Sequence, residues 1–529
     1  MSAVDGRRLS WLRLSLLLVG IASLVFVAQS GWRVFQDSQA AAQGDQWFAS
    51  YVDATVTPLL EFEEPPSAAA GNVVLSFVVA RTGAACEPSW GAAYSLDDAA
   101  RDLDLDRRIA RLRQDDGTVL VSFGGAINDE LATVCDDPEQ LLAAYRAVVE
   151  RYDLRTIDLD IEGAALGDVA ANDRRAVAIR KLQDERSGDE ELAVWLTLPV
   201  SPTGLTREGQ AAVSSMLDAG VDLAGVNVMT MDYGDARVEG QSMIDATTDA
   251  LQATHAQLQP IYSRDGRELG PATVWKRMGA TPMIGQNDVP GEIFTMADAR
   301  KLNAFAVDKG LGRLSMWSLN RDRTCGANYP DVTTVSNSCS GVDQGEQTFA
   351  KTIARRFSGA SSADATPTPS RSADVQAGDA ADGPGRAAAE PTDDPATSPY
   401  PVWTEDTTYV EGTRVVWHRH AYVAKWWTLG DLPDDPVVGG ESSPWRLIGP
   451  VLPGETPIPA LVVPEGTYPA WAQDTVYRRG DRVMLDGLAF TAKWYSEGIS
   501  PDAQSTQSDP SPWRRLTDTE IRQLVPAAG

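Results

Sequence analysis

The chain is 529 residues long, too long for one compact domain, so about two to four are expected. With 46 Lys and Arg against 74 Asp and Glu, its net charge is −28. That argues against nucleic acid or an anionic membrane as partner and suits a neutral polymer, or simple solubility. With four cysteines, no CxxC spacing and three histidines, it gives no support for a zinc site, and no metal or cofactor is expected.

In chain order, Arg7, Arg8 and Arg13 precede an apolar stretch from Leu14 to Ala28 that runs less cleanly to Trp32. This pattern is an export signal with its basic end inside. Ala28-Gln29-Ser30 offers a cleavage site; uncut, about 19 residues could just span a bilayer as an anchor. Residues 1–43 are thus a signal peptide or signal anchor, and the rest is expected to be extracellular, secreted or held at the plasma membrane. In that setting an even cysteine count implies disulfides. Cys325–Cys339 closes a short loop and leaves Cys86–Cys135, one of the three pairings possible.

Residues 44–357 alternate apolar β-rich runs with helical patterns. The strand candidates are Phe48–Val52, Val73–Val79, Val119–Phe123, Thr156–Glu162, Ala193–Leu198, Gly225–Met231, Pro282–Gly285 and Leu314–Trp317; Leu141–Arg151 and Ala297–Lys309 are helix-like. This alternation predicts an α/β fold, a (β/α)8 TIM barrel, with an open doubly wound sheet as competitor. No Gly-rich dinucleotide turn follows the first strand, and the chemically informative residues sit at strand C-terminal ends, where barrels assemble their sites.

The fourth of these strands carries Asp158-Leu159-Asp160-Ile161-Glu162-Gly163. Strand alternation puts all three carboxylates on one face. Neighbours two residues apart lie roughly 6.7 Å apart and repel by about 2.5 kcal/mol at an effective dielectric near 20, close to two pKa units. One of them is therefore expected to stay protonated near neutral pH, as a general acid must. A metal site or a solvated acidic turn is the alternative.

Residues 358–398 are Ala, Asp, Pro, Ser, Thr and Gly with almost no large apolar side chains, the composition of a disordered linker. After it an internal repeat recurs at an offset of 68 residues: Trp403, Tyr409, Gly412 and Val415 return as Trp471, Tyr477, Gly480 and Val483, and Ala424-Lys425-Trp426-Trp427 as Ala492-Lys493-Trp494-Tyr495. The repeats, 399–449 and 468–518, are joined by a Pro-rich spacer at 450–467 and followed by a tail at 519–529. Such small β-rich units must use some aromatics as core, and Trp403, Tyr409 and Trp445 suit that. Adjacent strand residues face opposite sides, so one of each pair Trp426-Trp427 and Trp494-Tyr495 is left exposed, a stacking platform for a sugar ring.

Thr156-Ile157-Asp158-Leu159-Asp160-Ile161-Glu162-Gly163 resembles the DxxDxDxE strand of glycoside hydrolase family 18, the chitinases. Ser122-Phe123-Gly124-Gly125 is similar to that family's SxGG motif, Met229-Thr230-Met231-Asp232-Tyr233-Gly234 to its sixth-strand motif, and Met316-Trp317-Ser318 to its eighth-strand tryptophan. The motifs occur in order across the whole barrel segment. The repeats resemble small all-β carbohydrate-binding modules of families five and twelve, whose signature includes AKWW or AKWY.

The resemblance implies a retaining, substrate-assisted hydrolase of chitin, with Glu162 as general acid and then base. Asp160 would hold the substrate's acetamido N–H, and Asp158 would share a proton with Asp160. Tyr233 would hold the acetamido carbonyl in place of the tyrosine many relatives carry where Met231 stands, and Asp232 would line the cleft. Trp317 would floor it; Gly124 and Gly125 allow close backbone approach, and Trp90, Trp195, Gln286 and Asn287 are possible subsite residues. Trp275 reads as packing. The chain departs from the pattern at Arg155, where the family has its first acid. A hydrolase of other N-acetylglucosamine glycans and a non-catalytic chitin-binding lectin are the alternatives; Glu162 speaks against the lectin. A monomer is expected, with chitin as partner and no nucleic acid.

Overall fold

The computed structural model describes residues 46–359 and 392–524, apart from positions 187, 328, 330–333, 439, 460, 465 and 523. The expected export segment and most of the expected linker lie outside these residues. The chain divides into two compact units: Met1–Ser95 with Gly117–Ser370, and Leu96–Asp116 with Arg371–Gly529. Leu96–Asp116, within the expected domain 44–357, groups with the second unit.

The first unit is a closed parallel barrel. Its strands are β1 Trp47–Asp53, β2 Asn72–Arg81, β3 Thr118–Gly124, β4 Thr156–Asp160, β5 Ala193–Ser201, β6 Leu223–Met229, β7 Met278–Thr281 and β8 Arg313–Met316. Each pairs with the next in parallel, and β8 closes on β1 in the register Trp47↔Arg313 to Ser50↔Met316. Buried on both faces, the strands are near-continuous apolar runs such as Val73-Val74-Leu75. Helices α1 Pro138–Arg151, α2 Val169–Asp184, α3 Arg207–Asp218, α4 Met243–Arg264 and α5 Met296–Lys309 separate later strands. Their ends follow the sequence: Asp137 accepts from the backbone N–H groups of Glu139 and Gln140 ahead of Pro138, and Thr295 and Asp298 form a capping box.

Inside the barrel, Trp47, Ala49, Tyr51, Val74, Leu120 and Trp195 form one buried cluster, with Phe77 and Trp317 packed on it. Gly225 makes room for it, since a Cβ there would lie 2.4 Å from the Trp195 ring. The disulfides Cys86–Cys135 and Cys325–Cys339 are both formed.

Three strands end earlier than expected near the informative residues. β7 ends at Thr281, just before the predicted run Pro282–Gly285, which begins with a residue that has no N–H for a ladder. β4 stops at Asp160 rather than Glu162, because Gly163, at φ 55°, turns the chain into a short helix; β6 stops at Met229.

In the second unit the repeat is realised element by element. Arg414–Trp417, His420–Ala424 and Trp445–Pro450 form a three-stranded sheet, and Arg482–Leu485, Leu488–Ala492 and Trp513–Arg515 form its copy. Thr408–Tyr409 pairs with Thr428–Leu429, as Val476–Tyr477 pairs with Ser496–Glu497. Trp403, Tyr409 and Trp445 are core, as are Tyr477 and Trp513. The spacer is not wholly free: Val463 is buried with Ala489, Leu516 and Ile521. The copies also touch, through Lys493 Nζ to Glu411 Oε2 at 2.9 Å and the Trp427 N–H to Ser505 Oγ at 3.3 Å.

Candidate active site

Asp158, Asp160 and Glu162 leave the end of β4 in three different environments. Asp158 is completely buried, and its two oxygens accept from four donors. Oδ2 takes the Tyr51 hydroxyl and Ser122 Oγ, each at 2.8 Å; Oδ1 takes Thr197 Oγ1 at 2.7 Å and Arg313 Nη1 at 2.6 Å. These come from β1, β3, β5 and β8, and Ser122 is Asp158's register partner on β3. Asp160 is not among them. Such a set fits an ionised carboxylate, since every donor favours the anion.

Asp160 is nearly as buried, yet its Oδ1 has no hydrogen-bond partner. Burial first, then the charges of Glu162 and Asp158, push its carboxyl well above the usual carboxylate range, against the opposing pull of Arg313. Glu162, half-buried, is pushed up to about 7 by burial and then by the Asp232 carboxylate. The three carboxyls thus sit in graded surroundings: Asp158 saturated with donors, Asp160 buried and raised, and Glu162 half-buried and pushed up to about 7. No group of three or more His, Cys, Asp or Glu able to hold a metal occurs among the described residues.

Neighbouring loops hold this arrangement. Gly124 and Gly125 have φ of 102° and 89°; the Gly125 N–H donates to the Asp160 carbonyl at 2.9 Å, and a Cβ on Gly124 would lie 2.1 Å from that oxygen. Their role here is steric, fixing the backbone of Asp160. Asp232, at φ 50°, accepts the Val289 N–H at 3.0 Å, while its own N–H donates to Asn287 Oδ1 at 3.3 Å. Trp317 stacks on Phe77, with ring centroids 5.4 Å apart, and meets Tyr51 edge-on at 6.1 Å.

Several expected site residues are placed elsewhere. Tyr233 is buried and its hydroxyl lies 3.3 Å from Thr247 Oγ1 on α4, so it turns into the helix layer rather than over β4. Its N–H donates to Glu292, which also accepts from Gly234 and Arg237; these bonds fix the turn and send the ring outward. Trp90 is buried, its Nε1 on the Tyr152 hydroxyl at 2.9 Å; Trp195 belongs to the interior cluster. Asn287 is buried and donates to the Met283 and Gly285 carbonyls, serving the loop. Met231 and Gln286 are half-buried, and the Gln286 Oε1 is without a partner. Trp275 stacks on His255 and packs against Phe305, as expected. In the second unit Trp426 and Trp427 are half-buried, whereas Trp494 and Tyr495 are 43% and 59% exposed.

Sequence reasoning missed Tyr51, Thr197, Glu292 and above all Arg313. The signal for Arg313 was present: a lone cation opening the apolar run Arg313-Leu314-Ser315-Met316 must find a partner if the strand is buried.

With three carboxyls in graded surroundings at the end of the barrel's fourth strand, the chain is similar to proteins named as chitinases. The chain is 36% identical over 314 residues to a probable bifunctional chitinase/lysozyme of Escherichia coli (strain K12), covering 56% of this chain and 34% of that one. It is 35% identical over 308 residues to endochitinase 11 of Metarhizium anisopliae, covering 55% and 57%. The chain thus spans about a third and a little over half of these relatives' lengths. Among solved structures, the catalytic domain of a hyperthermophilic chitinase from Pyrococcus furiosus matches with a TM-score of 0.51 and 27% identity, over 59% of this chain and 95% of that one. No family model matches the chain.

Proposed function

We propose that the first unit is a chitinase that cleaves β-1,4-linked N-acetylglucosamine polymers with retention of configuration. The observation that carries this reading is the row of three carboxyls at the end of β4: Asp158 held by four donors, Asp160 buried with an unpartnered Oδ1, and Glu162 half-buried beyond the strand end. Glu162 donates its proton to the glycosidic oxygen as the C–O bond breaks. The substrate's acetamido oxygen bonds to the anomeric carbon from the other face and gives an oxazolinium. Glu162, now a carboxylate, then takes a proton from water, which opens that intermediate. Asp160, with a buried and unpartnered Oδ1, accepts the acetamido N–H and supports the positive charge developing there. Asp158 tunes Asp160 from below.

Turnover of a soluble chitin oligomer by the wild type and by Glu162→Gln tests the assignment. Loss of about 100-fold or more in kcat is expected for the variant, since general acid catalysis is worth that much. No hydrolysis by the wild type would sink the hydrolase reading; unchanged turnover in the variant would sink only the choice of acid.

The repeats in the second unit serve, in this reading, as chitin-binding modules whose exposed aromatics stack on sugar rings. Export to the extracellular space belongs to the same reading, supported by the basic–apolar N-terminus and the two disulfides.

A further inference from the structure

Arg313 is a fully buried guanidinium in the interior of the barrel. It lies 5.1 Å from the ring centre of Trp47, 5.6 Å from that of Tyr51 and 5.4 Å from that of Trp195, so aromatic faces take the place of water around it. Each of its nitrogens is directed: Nη1 to Asp158 Oδ1 at 2.6 Å, Nη2 to the Tyr51 oxygen at 3.1 Å, and Nε to Ser315 Oγ at 2.8 Å.

A buried ion pair gains little net stability over well-packed apolar side chains of the same volume. Structure alone is therefore a weak reason for a cation here. Its position suggests a better one, because Asp158 is the innermost of the three aligned carboxyls, and whichever of them is ionised decides where the proton sits.

We propose that Arg313 is a positioning residue that keeps Asp158 an anion throughout turnover, so that the proton of the catalytic strand stays at its cleft end, on Asp160 and Glu162. This rests on the hydrolase reading given above. The groups facing Asp158 are the hydroxyls of Tyr51, Ser122 and Thr197, the Arg313 guanidinium, and along its own strand Asp160 and then Glu162. Tyr51 stays a neutral donor, its pKa raised by burial and by Asp158. With both Asp158 oxygens occupied by these partners, Asp160 need not turn inward to share its proton, and its free Oδ1 is left for substrate.

The test compares Arg313→Lys and Arg313→Met across a pH series with a soluble chitin oligomer. Removing the cation lets Asp158 take up a proton, so the acid limb of the kcat profile should move up by at least about one pH unit in the Met variant. Its kcat should fall about 100-fold with KM within about threefold, as for a misplaced catalytic group. The Lys variant keeps the charge and should keep the limb in place. If the Met variant does not fold, Arg313→Met combined with Asp158→Asn removes both buried charges together; it should melt near the wild type yet lose kcat to the same extent. A Met variant with wild-type kcat and an unmoved acid limb, or a double variant with full turnover, overturns the proposal. Should the wild type itself not turn over, the hydrolase reading has failed instead. The carboxyl carbon resonance of Asp158, assigned by Asp158→Asn, then decides on Arg313: it should stay ionised to lower pH in the wild type than in the Met variant, and an identical titration in the two overturns the proposal.

Discussion

Glu162 titrates near 7 because burial and Asp232 both oppose its charge, and this fixes two measurable behaviours. In its proposed role as general acid it must hold its proton in the free enzyme, so kcat/KM should decline as pH rises through about 7; Asp232→Asn, which removes the second cause, should move that limb downward. The same shift bears on stability. A carboxyl whose folded pKa lies above its unfolded value of 4.5 stabilises the fold below that value and loses the contribution as pH rises toward about 7. Glu162→Gln should therefore raise the melting temperature at pH 8 and leave it unchanged at pH 4. A variant that melts lower at pH 8 would show that the carboxylate is not penalised by its surroundings. At this scale the sequence was legible where alternation alone sets the outcome: Asp158 and Asp160 fall on one face of β4 because a strand has period two, and Glu162 follows just past its end. Tyr233 was not legible, since whether a side chain at a strand end turns into the cleft or into the helix layer depends on Glu292, 59 residues away.

Among the elements, β3 and β4 are locked by contact at Gly124. Any side chain there must displace the Asp160 carbonyl, so Gly124→Ala should lower kcat by about 100-fold, the loss expected from a shift of about 1 Å at a catalytic group. Circular dichroism should still show a folded barrel. The Cys86–Cys135 disulfide joins the strand Ala84–Trp90 to the end of the short helix Leu131–Val134, across 49 residues of chain. Replacing both cysteines by serine should cost about 4 kcal/mol by loop-closure entropy, read as a lower melting temperature. Seven of the eight strands lie where the β-rich runs predicted. The seventh was displaced because Met278-Gly279-Ala280-Thr281 carries little β-propensity, and its burial comes wholly from its neighbours β6 and β8.

For the whole molecule, a net charge of −28 makes the substrate's charge testable. Chitin is neutral, so oligomer turnover should change by less than about twofold between about 50 mM and 500 mM salt, where the Debye length falls from about 14 Å to about 4 Å. A tenfold change would point to a charged substrate. Binding to solid chitin should likewise resist salt and should fall by at least about tenfold when Trp494 and Tyr495 are both replaced by alanine, since aromatic faces supply the grip in this reading.

The second unit also carries a history. The 68-residue offset reaches individual hydrogen bonds: Trp445 Nε1 on the Asp431 carbonyl and Trp513 Nε1 on the Ile499 carbonyl are both 2.8 Å, as befits a segment copied whole. The aromatic pairs of the two copies nonetheless differ, Trp426-Trp427 in the first and Trp494-Tyr495 in the second. Trp494 and Tyr495 remain open to solvent, while the Trp427 backbone is bonded to Ser505 of the sister copy. A repeated fold thus does not carry repeated surfaces: the second copy holds its aromatic pair open to solvent, and the first ties the backbone of its pair to its neighbour.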